Sequence, residues 1–539
     1  MIPHFSFDHF HRNQLSRRPT VESVAFLSGL PLASVVIGLA TAIFVMGLDS
    51  SIIATAIPRI TTQFNSTGDI GWYGSAYSFS FCVLQPIFGK LFSIFSMKGT
   101  FLGCIAFFEI GSLICATAIN SPMLIIGRAI AGIGAAGCFT GAFCILATAM
   151  PMGKRPIYIG ILTATAGFSA IIGPVLGGVF TEYATWRWCF WINLPLGAIS
   201  IFTLVFFLPS PSRKETKPES VFHRLAKLDL IGAGLFIPAI IMILLGLQWG
   251  GTKYVWKSAA IIGLFIGGTV LLLIFVAWQV RRGDDAMIPL GLISQRTLAL
   301  ACIFEFFIMG AIFISVYFLP EWFQVIKSAL PKQSGVMYLP LAISDILASL
   351  LAGASLQMLR YPNVYLLLGP ALISIAAGLF TTLSTTTNHQ HWIPYQVLQG
   401  LGAGMSLVMP YTATQMVLKP KDVPVGTSLI QCMQYFGASV WLAVSQSIFQ
   451  NRLVQHLTSV GVGQEDIREI LKAGSGGIRS AVPTALLEDV VDAYNYGITG
   501  TFYVAASGAI IAFLCSLGMP WNSITAKDQS LSDKSEDQA

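Results

Sequence analysis

RAIAGIGAAG, Arg128 to Gly137, returns in altered form as VLQGLGAGMS, Val397 to Ser406. Gly132 and Gly134 align with Gly400 and Gly402 at an offset of 268 residues, and Gly160 aligns with Gly426 at 266. Each stretch lies in a long apolar run and closes on a loop with a proline and a lysine. These are Pro151 and Lys154 after the first, Pro420 and Lys421 after the second. A same-orientation repeat at half-chain spacing divides the sequence into two similar halves with extra chain between them.

The sequence around the repeat belongs in a bilayer. Of 539 residues, 54% are hydrophobic and 10% charged, with a mean hydropathy of +0.72. A soluble domain carries about 25% charged residues, so this chain cannot clothe a soluble surface. Its 51 glycines, 37 phenylalanines and 11 tryptophans exclude disorder and coiled coil. At about 20 apolar residues per crossing, fourteen spans are expected. They lie near 33–58, 70–92, 100–119, 123–150, 157–181, 187–208, 229–248, 258–280, 299–319, 334–357, 364–383, 392–415, 425–449 and 499–521. The first run is too long for the apolar core of a signal peptide.

Charge sets the orientation. The tails and the loops on their side hold 19 Lys and Arg, among them Arg17, Arg18, Lys154, Arg155, Arg281 and Arg282. The short loops of the other face hold six: Arg59, Arg187, Lys253, Lys257, Lys327 and Lys332. Positive residues stay inside, so both termini are expected in the cytoplasm.

The expected product is an all-α integral membrane protein. Residues 1–32 form a cytoplasmic tail, 33–208 a six-helix bundle and 209–228 a cytoplasmic linker. Residues 229–298 supply two inserted spans, 299–521 a second six-helix bundle with an acidic external loop at 450–498, and 522–539 the closing tail. Two parallel six-helix halves with a ligand site between them at mid-membrane describe the major facilitator fold.

Several chemistries are excluded. The net charge of +6 is modest and scattered between spans, which gives no footing for nucleic acid. Nine cysteines all lie in apolar runs without CxxC spacing, so neither a metal site nor a disulfide framework is expected. Gly132-Ile-Gly134-Ala-Ala-Gly137 spells G-x-G-x-x-G, yet no strand precedes it and no acid follows about 20 residues on, so helix packing explains it better. No Walker motif occurs and no histidine falls within a span. An intramembrane enzyme is therefore the remote alternative.

Further motifs carry a family resemblance. GLDSSIIATAIP (Gly47 to Pro58) in span one is similar to a signature of fourteen-span multidrug pumps. GKLFSIFSMKGTF (Gly89 to Phe101) looks like the superfamily's loop 2–3 motif, with Ser93 where an acid is usual. Arg128 to Gly132 resembles the fourth-span arginine motif, and Gly167 through Gly173-Pro174-Val-Leu-Gly177-Gly178 resembles the span-five antiporter motif. With GWYGSAY and WRWCFWINLPLG, the chain resembles fungal drug:proton antiporters of the fourteen-span branch of the major facilitator superfamily.

That resemblance implies export of an amphipathic small molecule (drug, toxin or secondary metabolite) in exchange for protons. The proton gradient is the energy source and no cofactor is expected. Lipid, protons and substrate are the expected partners, the working unit a monomer, and the location the plasma membrane. A related siderophore or basic amino-acid carrier, the latter vacuolar, is the alternative. Asp49, Glu109, Glu305, Asp345 and Arg128 are the ionisable residues well inside spans. An unpaired charge there costs about 2.5–3.5 kcal/mol, so each needs a partner, water or a role. Asp49 and Arg128 are expected to couple protons. Asp345, Glu305, Gln431 and Gln434 are expected cavity residues, and Glu109 a packing or lipid-interface residue. Gly173, Pro174, Gly177 and Gly178 form the expected hinge, against ordinary tight packing as the competing reading. Asn65 opens the one N-x-[ST] sequon, in an outer loop.

Overall fold

The computed structural model describes residues 26–66, 69–209, 227–251, 253–463, 465–467, 470 and 486–524. Most of both tails, nearly all of the 209–228 linker and residues 464, 468–469 and 471–485 of the expected external loop lie outside the described residues. Apolar sequence has one way to satisfy its backbone in lipid without a barrel, and the chain takes it throughout. Fourteen helices of 15 residues or more follow one another among the described residues. They are α1 (Gly29–Phe64), α2 (Ile70–Ile94), α3 (Met97–Ala116), α4 (Ser121–Ala149), α5 (Arg155–Tyr183), α6 (Asn193–Phe207) and α7 (Leu230–Trp249). Then come α8 (Ala259–Arg282), α9 (Arg296–Val325), α10 (Leu339–Leu359), α11 (Asn363–Phe380), α12 (His389–Val417), α13 (Val423–Ser459) and α14 (Leu487–Leu517).

Polar residues at the ends define the helices. The Ser96 hydroxyl accepts from the Gly99 N–H, the Asn120 side chain from Met123, and Asp229 from Gly232, each meeting an otherwise orphaned donor. Asn65 closes α1 in the left-handed region at φ 49°, a conformation asparagine tolerates. Eleven helices, α6 taken with the short turn Trp188–Trp191 before it, are long and apolar enough to cross a membrane. The exceptions are α2, α12 and α13, which bury Gln85, then Gln396, Gln399 and Gln415, then Gln431 and Gln434. Side chains turned inward lower the apolar character of these three.

The helix pairing repeats between the halves. In the first, α1 packs on α5 and α6, and α4 on α2 and α3. In the second, α9 packs on α13 and α14, and α12 on α10 and α11. The halves meet through α5 against α10 and α2 against α13, which are again equivalent pairs. The inserted α7 and α8 pack on each other, and α7 leans on α2 and α13.

Two of the three repeated glycine pairs do the same work in both copies, whereas Gly160 meets the Ser349 carbonyl of the other half and Gly426 meets the Leu418 side chain of its own. A Cβ at Gly132 would strike the Tyr77 carbonyl of α2, and one at Gly400 the Leu341 carbonyl of α10. Gly134 lies against the backbone of Cys104 and Phe108 in α3, and Gly402 against Gly369 and Ile373 in α11. The G-x-G-x-x-G stretch is thus mid-helix, where small residues let backbones touch. Gly134→Val should cost about 1–3 kcal/mol or more, because rigid backbone cannot move aside. Gly178→Ala, where nothing lies within 4 Å of the added Cβ, should be tolerated. Melting curves of the two purified variants check this, and equal melting temperatures would refute it.

Candidate functional site

Asp49 on α1 and Arg128 on α4 meet inside the first bundle. Arg128 Nη1 lies 2.5 Å from Asp49 Oδ2, with the side chains 1% and 0% exposed. Removing two charges from water is expensive, and further partners on both side chains offset that cost. Arg128 Nε donates to the Tyr73 carbonyl at 2.9 Å, and Asn193 Nδ2 donates to Asp49 Oδ1 at 3.0 Å. The same Asn193 nitrogen lies 3.0 Å from Ser112 Oγ. The guanidinium also sits 4.5 Å from the centre of the Tyr77 ring, an arrangement worth more when dry. Five helices therefore contribute to one buried knot.

Asn193, Ser112 and Tyr77 were not singled out from sequence. Asn193 stands inside WINLPLG at the start of α6, and its inward orientation comes from how α6 packs on α1 and α3.

A second polar group lies where the halves meet. Thr140 Oγ1 on α4 is 2.5 Å from Gln85 Oε1 on α2 and 2.8 Å from Gln431 Oε1 on α13. The Tyr411 hydroxyl of α12 donates to Gln434 Oε1 at 3.0 Å. Aromatic pairs flank them: Phe81 with Tyr435 at 4.4 Å and Phe143 with Tyr411 at 4.6 Å between centroids. Of the two glutamines expected at the cavity, Gln431 therefore bonds across the interface, whereas Gln434 bonds to Tyr411 within the second half. Glu305 on α9 is fully buried, and both its carboxyl oxygens lack a hydrogen-bond partner among the described residues.

Asp345 stands apart from that group. It lies on α10 against α5, with Oδ2 3.6 Å from where a Cβ at Gly167 would be. Gly173 and Gly177 of α5 lie hard against Ser51, Ile52 and Thr55 of α1, whereas Gly178 faces open space. Pro174 falls inside α5, where it removes one helical hydrogen bond. Asn65 is exposed at the turn after α1, while the third sequon position, 67, lies outside the described residues.

At the end where α1 and α5 begin, glycines of each half lie against backbone of the other. Gly89 of α2 abuts Ser428 and the Pro424 carbonyl of α13, Gly160 abuts the Ser349 carbonyl, and Gly353 abuts the Pro156 carbonyl. Ser93, standing where an acid is usual, turns its hydroxyl onto the Lys90 carbonyl at 2.7 Å. Lys90 Nζ donates to the Ala286 carbonyl at 2.9 Å, beyond α8. Lys98 Nζ donates to the carbonyls of Val205 and Leu208 at 2.7 Å each, at the end of α6. Just ahead of α7, burial would raise the Asp229 carboxyl. Hydrogen bonds from Trp278, Gly232, Gln279 and Met287 outweigh it and hold the acid below its ordinary range.

Comparisons with known proteins agree with this architecture. A family model described as Major Facilitator Superfamily matches residues 39–442. The MFS-type efflux pump MFS1 of Arthroderma benhamiae is 42% identical over 506 residues, covering 94% of this chain and 94% of that protein. The aspyridones efflux protein of Neocamarosporium betae is 40% identical over 523 residues, covering 96% and 93%. Among solved structures, the human organic anion transporter MFSD10 superposes with a TM-score of 0.58 at 11% identity, over 91% of this chain and 100% of that one. At that identity the likeness is one of fold.

Proposed function

The chain belongs to the major facilitator superfamily, a multi-pass membrane transporter and not an enzyme, and on that footing we propose that it exports an amphipathic organic molecule in exchange for protons. The observation that carries the reading is the Asp49–Arg128 pair, sealed in the first bundle at 2.5 Å. An acid whose cation partner can part from it takes up a proton when alone and yields it when paired. Relatives that match along nearly their whole length are named efflux pumps, which supports export over siderophore or amino-acid import.

In this reading all fourteen long helices span the bilayer, both termini are cytoplasmic, and the protein works as a monomer in the plasma membrane without a cofactor. The close approach of the halves at Gly89, Gly160 and Gly353 is then a cytoplasmic seal. Gln431, Gln434 and Glu305 line the route that opens when it parts, Asp345 borders that route at α5, and the Gly173-Pro174 bend with Gly177 and Gly178 lets α5 move on α1. Asn65 carries a glycan on the outer face.

Cells overproducing the protein should accumulate less of a lipophilic fluorescent dye than cells lacking it, and a protonophore should erase the difference. Higher accumulation, or a difference indifferent to the protonophore, would sink proton-driven export.

A further inference from the structure

Glu109 is left over from the scheme above. It lies on α3, and both its carboxyl oxygens are covered by protein without a hydrogen-bond partner among the described residues. Its carboxyl fills a slot on α6 that exists because residue 197 is glycine, since a Cβ there would coincide with Oε1. Packing alone would be served by leucine, without the penalty of covering an unpartnered carboxyl.

The slot is placed next to the buried knot. Gly197 is four residues after Asn193 on α6, and Ser112 is three residues after Glu109 on α3. Residues three or four apart share a helix face, so Glu109 and Gly197 form the rung directly below Ser112 and Asn193. Asn193 Nδ2 touches both Ser112 Oγ and Asp49 Oδ1 at 3.0 Å, so those two oxygens are at most about 6 Å apart. Ser112 accepts from Asn193. The charge of Asp49 reaches Glu109.

The titratable surroundings are few. Asp49 faces Glu109 from α1 and Cys138 from α4, with Cys104 beside it on α3. Arg128 of α4 stands behind Asp49. From α6 come Asn193 and Gly197, neither of them titratable.

We propose that Glu109 is a second proton-holding residue of this carrier, one helical turn from the Asn193 contact with Asp49. Glu109 holds its proton as the neutral acid in the Gly197 slot, and the charge carried by Asp49 sets how tightly that proton is kept. The use of that proton rests on proton exchange at Asp49, but its residence on Glu109 does not.

Infrared difference spectra of the purified protein in lipid, recorded as pH is stepped, read carboxyl protonation without any substrate. The wild type should show a protonated-carboxyl C=O band that titrates and that Glu109→Gln removes. Asp49→Asn should move the midpoint of that band by about one pH unit or more, as coupled sites do. A spectrum that Glu109→Gln leaves unchanged overturns the proposal, and so does a Glu109 band indifferent to Asp49→Asn. Should Glu109→Gln fail to fold, Gly197→Ala ejects the same carboxyl from its slot. The band should then shift in frequency, and a band at the wild-type position overturns the proposal equally. Dye export indifferent to a protonophore would defeat the transport reading while leaving this titration intact.

Discussion

Asp49→Asn should abolish proton-driven dye flux per folded molecule, a fall of orders of magnitude, while protein still reaches the membrane. The amide is nearly the shape of the carboxylate, so packing around α1 is preserved. What changes is charge. Arg128, 1% exposed, loses its counter-ion, and breaking one side of a buried pair costs about 3–5 kcal/mol. The Tyr73 carbonyl and the Tyr77 ring retain part of its stabilisation. The double variant Asp49→Asn/Arg128→Gln removes the stranded charge and should recover the lost melting temperature without recovering flux. That split separates coupling from structure. Near-wild-type flux in either variant, with unchanged pH dependence, would move the coupling site to Glu305 or Asp345. Arg128→Lys should also lose flux, because an ammonium cannot reach Asp49 and the Tyr73 carbonyl with one planar fork.

The second large effect is expected at the seal between the halves. A leucine at Gly89 would drive its Cβ into Ser428, whose own Cβ lies 2.8 Å from the added atom, and to 3.0 Å from the Pro424 carbonyl. Those atoms all belong to α13, in the other half. Each bundle should therefore fold normally, with the melting temperature lowered by only a few degrees, while dye flux falls to background. Gly353→Leu, which meets the Pro156 carbonyl from the opposite side, should behave alike. Substantial flux in both variants would show that transport does not require the halves to close there.

Much of this was legible in the sequence, for identifiable reasons. The repeat glycines of α4 and α12 could be read because a Cβ is forbidden at equivalent contacts in both halves, so the spacing survives where other residues differ. Asp49 and Arg128 could be read because charge inside an apolar run is costly enough to demand a partner. Their partners Asn193 and Ser112 could not, since a single amide or hydroxyl in a span carries little penalty and which face it occupies depends on tertiary packing. Glu305 and Asp345 looked equivalent in sequence. The structure sets one on α9, fully buried, and the other on α10 against α5. The apolar windows also stop short of the helices: α1 runs to Phe64, α13 to Ser459, and α14 begins at Leu487. Hydropathy reports the hydrocarbon layer, whereas helical hydrogen bonding continues through charged residues beyond it.

The contact of Thr140 with two glutamines builds an asymmetry into the meeting of the halves. A hydroxyl has a single hydrogen, yet both amide oxygens, Gln85 Oε1 and Gln431 Oε1, stand within 2.8 Å of Thr140 Oγ1. Two acceptors cannot share one donor on these terms. One of the two amides must therefore be turned so that its NH2 group faces the Thr140 lone pair, an orientation that follows from the hydrogen-bond arithmetic. The free ends then differ: one glutamine offers an N–H and the other a carbonyl. The contact between the halves is therefore left with one spare donor and one spare acceptor, and its two glutamines are not interchangeable.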